Sequence, residues 1–466
     1  MHVIFPIAHG RQATLLAYHV SASTGTALDL DPVSNDQDHV SDHGGAPGWR
    51  GIKVVHAPKS GKTRGSKPHD VVKEVIILRK ISHPNVVRLL GYEYDEQRIE
   101  HRLFLPLYIT TLSDLLADPS FPFPERPESG TKDDASDQLD QSAVVIPTIL
   151  TYQLLSAISY LHALDPPIAH RDINPSNVMF DIHGDLKLVD FGTAWVKDNR
   201  FKQNESSPAG GDGTLGVGGD GMDMRGWNDK EDEWEETYGD MCCDVGTGPY
   251  RAPELLFSPT EYDPLALDLW STGVIMSQLF RPFTVTSTSM SPYRDGMAPE
   301  EDDEDEYDPL DHNRDQPPPG SSQARQSGKR QPLFDDTFGS LGLAASVFKV
   351  LGTPTKENWP DFDNLPDAGK IEFPTTSPVE LSSLLPERDH MGLLAPHILQ
   401  LIEGLLVLDP RRRIPARQAL ESPWFDVLRD SRGSGELIFK YRHLMRSWIE
   451  QGIRRYERLA ERSREE

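Results

Sequence analysis

Apolar residues follow two different periods in this chain, and the change of period divides it. Residues 11–20, RQATLLAYHV, and 50–55, RGIKVV, read as strands, with a polar stretch rich in Gly and Asp between them at 21–49. VVKEVIILRKI at 71–81 moves to helical spacing, and HPNVVRLLGY and HRLFLPLY then supply two further strand candidates. From 146 to 164, IPTILTYQLLSAISYLHAL is helical, with Ile149, Leu150, Leu154, Ile158 and Leu161 on one face. A strand-rich first part thus gives way to a mainly helical second part. The closing ELIFKYRHLMRSWIEQGIRRYERLAERSREE predicts an amphipathic helix that packs on the helical part.

Four polar stretches interrupt this plan, at 21–49, 118–143, 198–240 and 288–331. Each is rich in Gly, Pro, Ser, Asp or Glu and poor in periodic apolar residues, so each is expected to be a mobile insert. Much of the formal charge of -26 lies there: EEDDEDEYDPLDHNRD at 300–315 carries ten acids against one Arg. DKEDEWEETYGDMCCD at 229–244 carries eight against one Lys. Such a balance argues against nucleic acid or an anionic membrane as partner. The two cysteines, Cys242 and Cys243, are adjacent, which excludes a disulfide framework and fits a reducing compartment. No apolar run approaches membrane-spanning length, so the chain is expected to be soluble and intracellular.

The chemistry concentrates in residues 170–192, HRDINPSNVMFDIHGDLKLVDFG. Asp172, Asn177 and Asp190 have the spacing that brings one proton acceptor and two magnesium ligands into a single cleft. Transfer of a phosphoryl group asks a protein mainly for positioning and for cancellation of phosphate charge, and carboxylates and amides on short loops supply both. Further along come GTGPYRAPE at 246–254, DLWSTGV at 268–274 and DPRRR at 409–413.

In order and spacing these segments resemble the eukaryotic protein kinases. The resemblance implies an α+β, two-lobed fold, with a small β-rich lobe over 1–108, a larger helical lobe over 109–430 and a helical extension over 431–466. It implies ATP and Mg²⁺ as cofactors. Asp172 is then the proton acceptor, Asn177 and Asp190 the metal ligands, and Lys53, paired with Glu74, the strand lysine for the α- and β-phosphates. Leu105 falls at the back of the adenine pocket. Pro106 offers adenine its carbonyl and Tyr108 its N–H. Thr247 falls where serine/threonine kinases set a hydroxyl against the catalytic aspartate, while Glu254 with Arg413 and Asp268 fall at structural positions.

The chain also departs from the pattern. Asn174 stands where the catalytic loop usually has a lysine, which removes a positive charge worth about 3–4 kcal/mol of transition-state stabilisation. In AHGRQA at 8–13 only Gly10 remains of three glycines. The activation-segment position that is phosphorylated in most relatives is Cys242, so Asp240, Asp244 or the acidic run before them is expected to pair with Arg171 instead.

YRAPELLF and KVLGTPTKENWPDFDNLP at 349–366 are similar to the group that holds the cyclin-dependent and MAP kinases. Within it, the acidic inserts and the missing activating threonine resemble the single-subunit fungal kinases that activate cyclin-dependent kinases. The resemblance implies a protein substrate as partner, another kinase among the candidates, with the chain acting as a monomer. KPHDVVKEV carries nothing from which a cyclin could be inferred. A nucleotide-binding scaffold with little catalysis is the competing reading, motivated by Asn174 and the reduced glycine loop.

Overall fold

The computed structural model describes residues 4–9, 13–19, 49–56, 69–123, 144–196, 236, 239–285, 328–385 and 392–465. Five antiparallel strands form the small lobe, β1 (Ile4–His9), β2 (Ala13–His19), β3 (Trp49–His56), β4 (Gly91–Asp95) and β5 (Glu100–Pro106), in spatial order 1-2-3-5-4. Helix α1 (Val71–Lys80) packs beside them and begins where the Asp70 carboxylate accepts from the backbone N–H groups of Val72 and Lys73. Its apolar face buries Val75, Ile77 and Leu78, and Glu74 on the adjoining face is also buried.

One expected strand lies elsewhere. The pattern of HPNVVRLLGY predicts an extended segment, yet the strand runs over Gly91–Asp95, and the two valines belong to a loop. Their burial comes from the other lobe's edge, where Val87 N donates to the Leu188 carbonyl at 2.9 Å and Leu188 N to that of Asn85 at 2.9 Å. A β-branched pair buried by tertiary contact looks the same in sequence as one buried in a ladder.

After a short α2 (Leu112–Leu116) the large lobe is built on α3 (Val145–His162) and α4 (Pro264–Leu279). The five residues expected on one face of α3 are all buried, and α4 is covered on every side, as its central position requires. Strands β6 (Thr110–Thr111), β8 (Val178–Phe180) and β9 (Leu186–Leu188) form a small sheet below the hinge, and β7 (Ile168–Ala169) pairs with β10 (Trp195–Val196). Helices α5 (Gly339–Leu351) and α6 (Ala395–Leu405) complete the lobe.

The interiors of the four polar inserts lie outside the described residues, but their edges are built into the fold. Trp49 belongs to β3. Phe121 is fully buried, and its carbonyl accepts from Arg330 Nε at 2.6 Å. Arg330 ends β12 (Gly328–Arg330), which pairs with β11 (Phe283–Val285). The two stretches therefore meet and close each other's ends.

The C-terminal sequence forms a single helix, α7 (Ser431–Glu465), about 50 Å long. Tyr441, Met445, Trp448 and Ile449 are buried against the large lobe, with Tyr441 Oη donating to the Gly184 carbonyl at 2.5 Å and Trp448 Nε1 to Asp118 at 3.1 Å. The helix does not stop at that lobe, as its stripe alone suggested. Ala460 is buried among Ile7, Ala17 and Leu107 on the small lobe and hinge.

Candidate active site

The loop between β7 and β8 is held by backbone before any side chain acts. Asp268 on α4 accepts the N–H of His170 at 2.9 Å and of Arg171 at 2.8 Å, and His162 Nε2 lies 2.9 Å from the same carboxylate. Arg171 takes a left-handed φ of 65° in the turn so fixed. Asp172 then faces the cleft. Its Oδ1 accepts from Thr247 Oγ1 at 2.7 Å and from Asn174 Nδ2 at 3.1 Å, and its Oδ2 from Asn177 Nδ2 at 3.0 Å. Asn174 is more than a missing charge. Its Oδ1 caps the short helical turn at Pro175–Asn177 by accepting from Ser176 N, and its Nδ2 also reaches Thr247 Oγ1 at 3.3 Å.

Across the cleft, Lys53 Nζ lies 2.8 Å from Glu74 Oε2 and 2.8 Å from Asp190 Oδ1. Burial works against the lysine's charge, but the carboxylates of Glu74 and Asp190 outweigh it and hold its pKa above the ordinary lysine value. Burial likewise works against the Asp190 anion, and Lys53 with His69 overcomes it, so that carboxyl sits well below the usual range. For Glu74, burial wins and the pKa is raised. One ammonium serves two carboxylates.

Asn177 spends its amide nitrogen on Asp172, which leaves its oxygen as the end suited to a cation beside Asp190. A carboxylate and an amide oxygen are hard donors of the kind Mg²⁺ takes. Among the described residues no group of three His, Cys, Asp or Glu forms a metal cage.

The activation segment is anchored as its acidic run suggested, by a residue that sequence reasoning did not single out. Arg171 Nη1 pairs with Glu236 at 2.5 Å and contacts Tyr262 Oη at 3.0 Å, while its Nε donates to the Thr193 carbonyl at 2.8 Å. Trp195 Nε1 donates to the Glu236 carbonyl at 3.3 Å, which ties the acid to β10. Tyr262 Oη donates in turn to the carbonyl of Cys242. Below, Arg413 makes two bonds to Glu254, at 2.7 and 2.6 Å, both partners buried.

Leu105 and Pro106 end β5, with Leu105 opposite Gly51 on the face that also carries Lys53. Tyr108 follows in the hinge, buried, and Ile109 N donates to the Phe180 carbonyl at 3.2 Å. Gly10 lies outside the described residues. His69 had no sequence signal: it precedes a helix cap and lies so close to Gly192 that a Cβ there would stand 2.1 Å from its ring. Burial lowers its pKa. Asp70 N donates to the Gly192 carbonyl at 2.9 Å beside it, so α1 and the Asp190 loop are fastened together.

A five-stranded sheet above a helical lobe, with these loops in the cleft between, is the two-lobed kinase fold. The protein kinase domain matches residues 51–210 and 229–425, and the chain belongs to that family. It is 28% identical over 272 residues to cyclin-dependent kinase 20 of Rattus norvegicus, covering 58% of this chain and 51% of that protein. It is 31% identical over 226 residues to the serine/threonine-protein kinase CHK1 of Saccharomyces cerevisiae, covering 48% of this chain and 32% of that one. The chain thus spans about half the length of the first of these relatives and less of the other.

Two solved structures share the fold. The CAK complex from Chaetomium thermophilum bound to ATP-gamma-S gives a TM-score of 0.54 at 20% identity, covering 91% of both chains. The yeast RNA Pol II CTD kinase CTDK-1 complex gives 0.52 at 20% identity, covering 91% of this chain and 93% of that one. No helix among the described residues is long and apolar enough to cross a membrane.

Proposed function

We propose that this chain is an active protein kinase that transfers the γ-phosphate of Mg·ATP to serine or threonine hydroxyls of proteins, and that it does so without phosphorylation of its own activation segment. The observation that carries the reading is the Asp172 carboxylate, fixed by Thr247, Asn174 and Asn177 opposite an assembled Lys53–Glu74–Asp190 set. Asp172 orients the incoming hydroxyl and accepts its proton. Lys53, held by Glu74, is placed for the α- and β-phosphate oxygens. Asn177 and Asp190 would hold the metal, which would supply positive charge against the phosphate oxygens. Asn174 steadies Asp172 and Thr247 where a lysine would otherwise reach the phosphate.

Independence from phosphorylation is supported by the Glu236 carboxylate on Arg171. A kinase that needs no activating phosphate suits the head of a phosphorylation relay. That property, with the resemblance to single-subunit fungal activating kinases, supports another kinase as the substrate. Radiolabel transfer from ATP to a kinase-inactive cyclin-dependent kinase tests both parts. The wild type is expected to label it at Ser or Thr, and Asp172→Ala to lose ~10²-fold or more. Equal labelling by the two proteins would favour the scaffold reading.

A further inference from the structure

The buried stripe of α7 continues past the large lobe and onto the hinge. Gly452 comes so near that a Cβ there would stand 2.8 Å from the Ile109 carbonyl oxygen. One turn on, Tyr456 Oη donates to the Tyr108 carbonyl at 3.4 Å. Beyond it Leu459 and Ala460 pack with Ile7, Leu15, Ala17 and Leu107. In the β2–β3 register Leu15 lies opposite Lys53 and Ala17 opposite Gly51. Residues directly opposite share a face, so α7 meets the same side of the sheet that presents Lys53 to the cleft.

We propose that residues 452–460 of α7 are positioning residues for the nucleotide: they strap the hinge backbone and the cleft face of the small lobe to the large lobe. The inference rests on the kinase reading. Its physical basis is that one rigid helix is seated at two places. Tyr441, Met445 and Trp448 fix it to the large lobe, and Ala460 fixes it to the small one. The angle between lobes then becomes a property of the folded chain, and less of it has to be ordered when nucleotide binds. Releasing the far end lets the small lobe sample other angles. If the binding-competent arrangement falls to about a tenth of the population, the apparent Kd rises about tenfold.

The test uses the full chain with Ala460→Glu, which puts a charge into the small-lobe contact, and Gly452→Val, which wedges the helix off the hinge. Mg·ADP binding is measured by calorimetry, with KM for ATP and kcat alongside. Both variants are expected to raise Kd and KM about tenfold and to change kcat less than about twofold. Ala460→Ser, small and uncharged, should bind like wild type. Should Gly452→Val fail to unfold cooperatively, Ala460→Glu decides alone, because it disturbs only the last turns. Unchanged nucleotide affinity in the folded variants overturns the strap and leaves the kinase reading standing. A wild-type chain that binds no Mg·ADP overturns both.

Discussion

Two buried arginines hold the segment that carries Thr247, and they are held in unlike ways. Arg413 is saturated: both carboxylate oxygens of Glu254, the carbonyls of Val407 and Ala266, and the face of Trp270 at 5.0 Å. Arg171 meets one oxygen of Glu236, one carbonyl and one hydroxyl, and its Nη2 has no hydrogen-bond partner among the described residues. Its acid comes from residue 236, at the margin of an insert and 65 positions along the chain from Arg171. The first anchor is part of the core. The second is an adaptable seat into which the chain has put a carboxylate.

Breaking the two anchors should separate stability from activity. Glu254→Ala strands the Arg413 charge in the core and is expected to cost about 3–5 kcal/mol, read by urea unfolding. Glu236→Ala opens an anchor nearer the surface, where water can replace the lost carboxylate. The expected stability loss is about 1–2 kcal/mol, with phosphotransfer falling roughly tenfold as Thr247 and its segment loosen. Equal stability losses in the two variants would erase the distinction.

The candidate site was legible because phosphate chemistry demands fixed residue types on short loops. Asp172, Asn177 and Asp190 could be numbered from spacing, and Asp268 and Glu254 from the segments around them. What escaped was set by distant contact. Val86 and Val87 look like strand residues but are buried against β9, and Arg330 looked like part of a polar insert until Phe121 met it. The α7 stripe was visible as a stripe, but nothing local says that it serves two lobes. His69 shows no pattern at all, since its place on Gly192 depends on how α1 docks.

The most direct measurement is phosphotransfer by the full-length chain after exhaustive phosphatase treatment, with mass spectrometry showing an unmodified activation segment. With Glu236 already seated on Arg171, the treated chain is expected to keep its rate, and Glu236→Ala to fall roughly tenfold below it. A treated wild type that falls to the level of Asp172→Ala, and recovers only when the segment is phosphorylated again, would contradict the account.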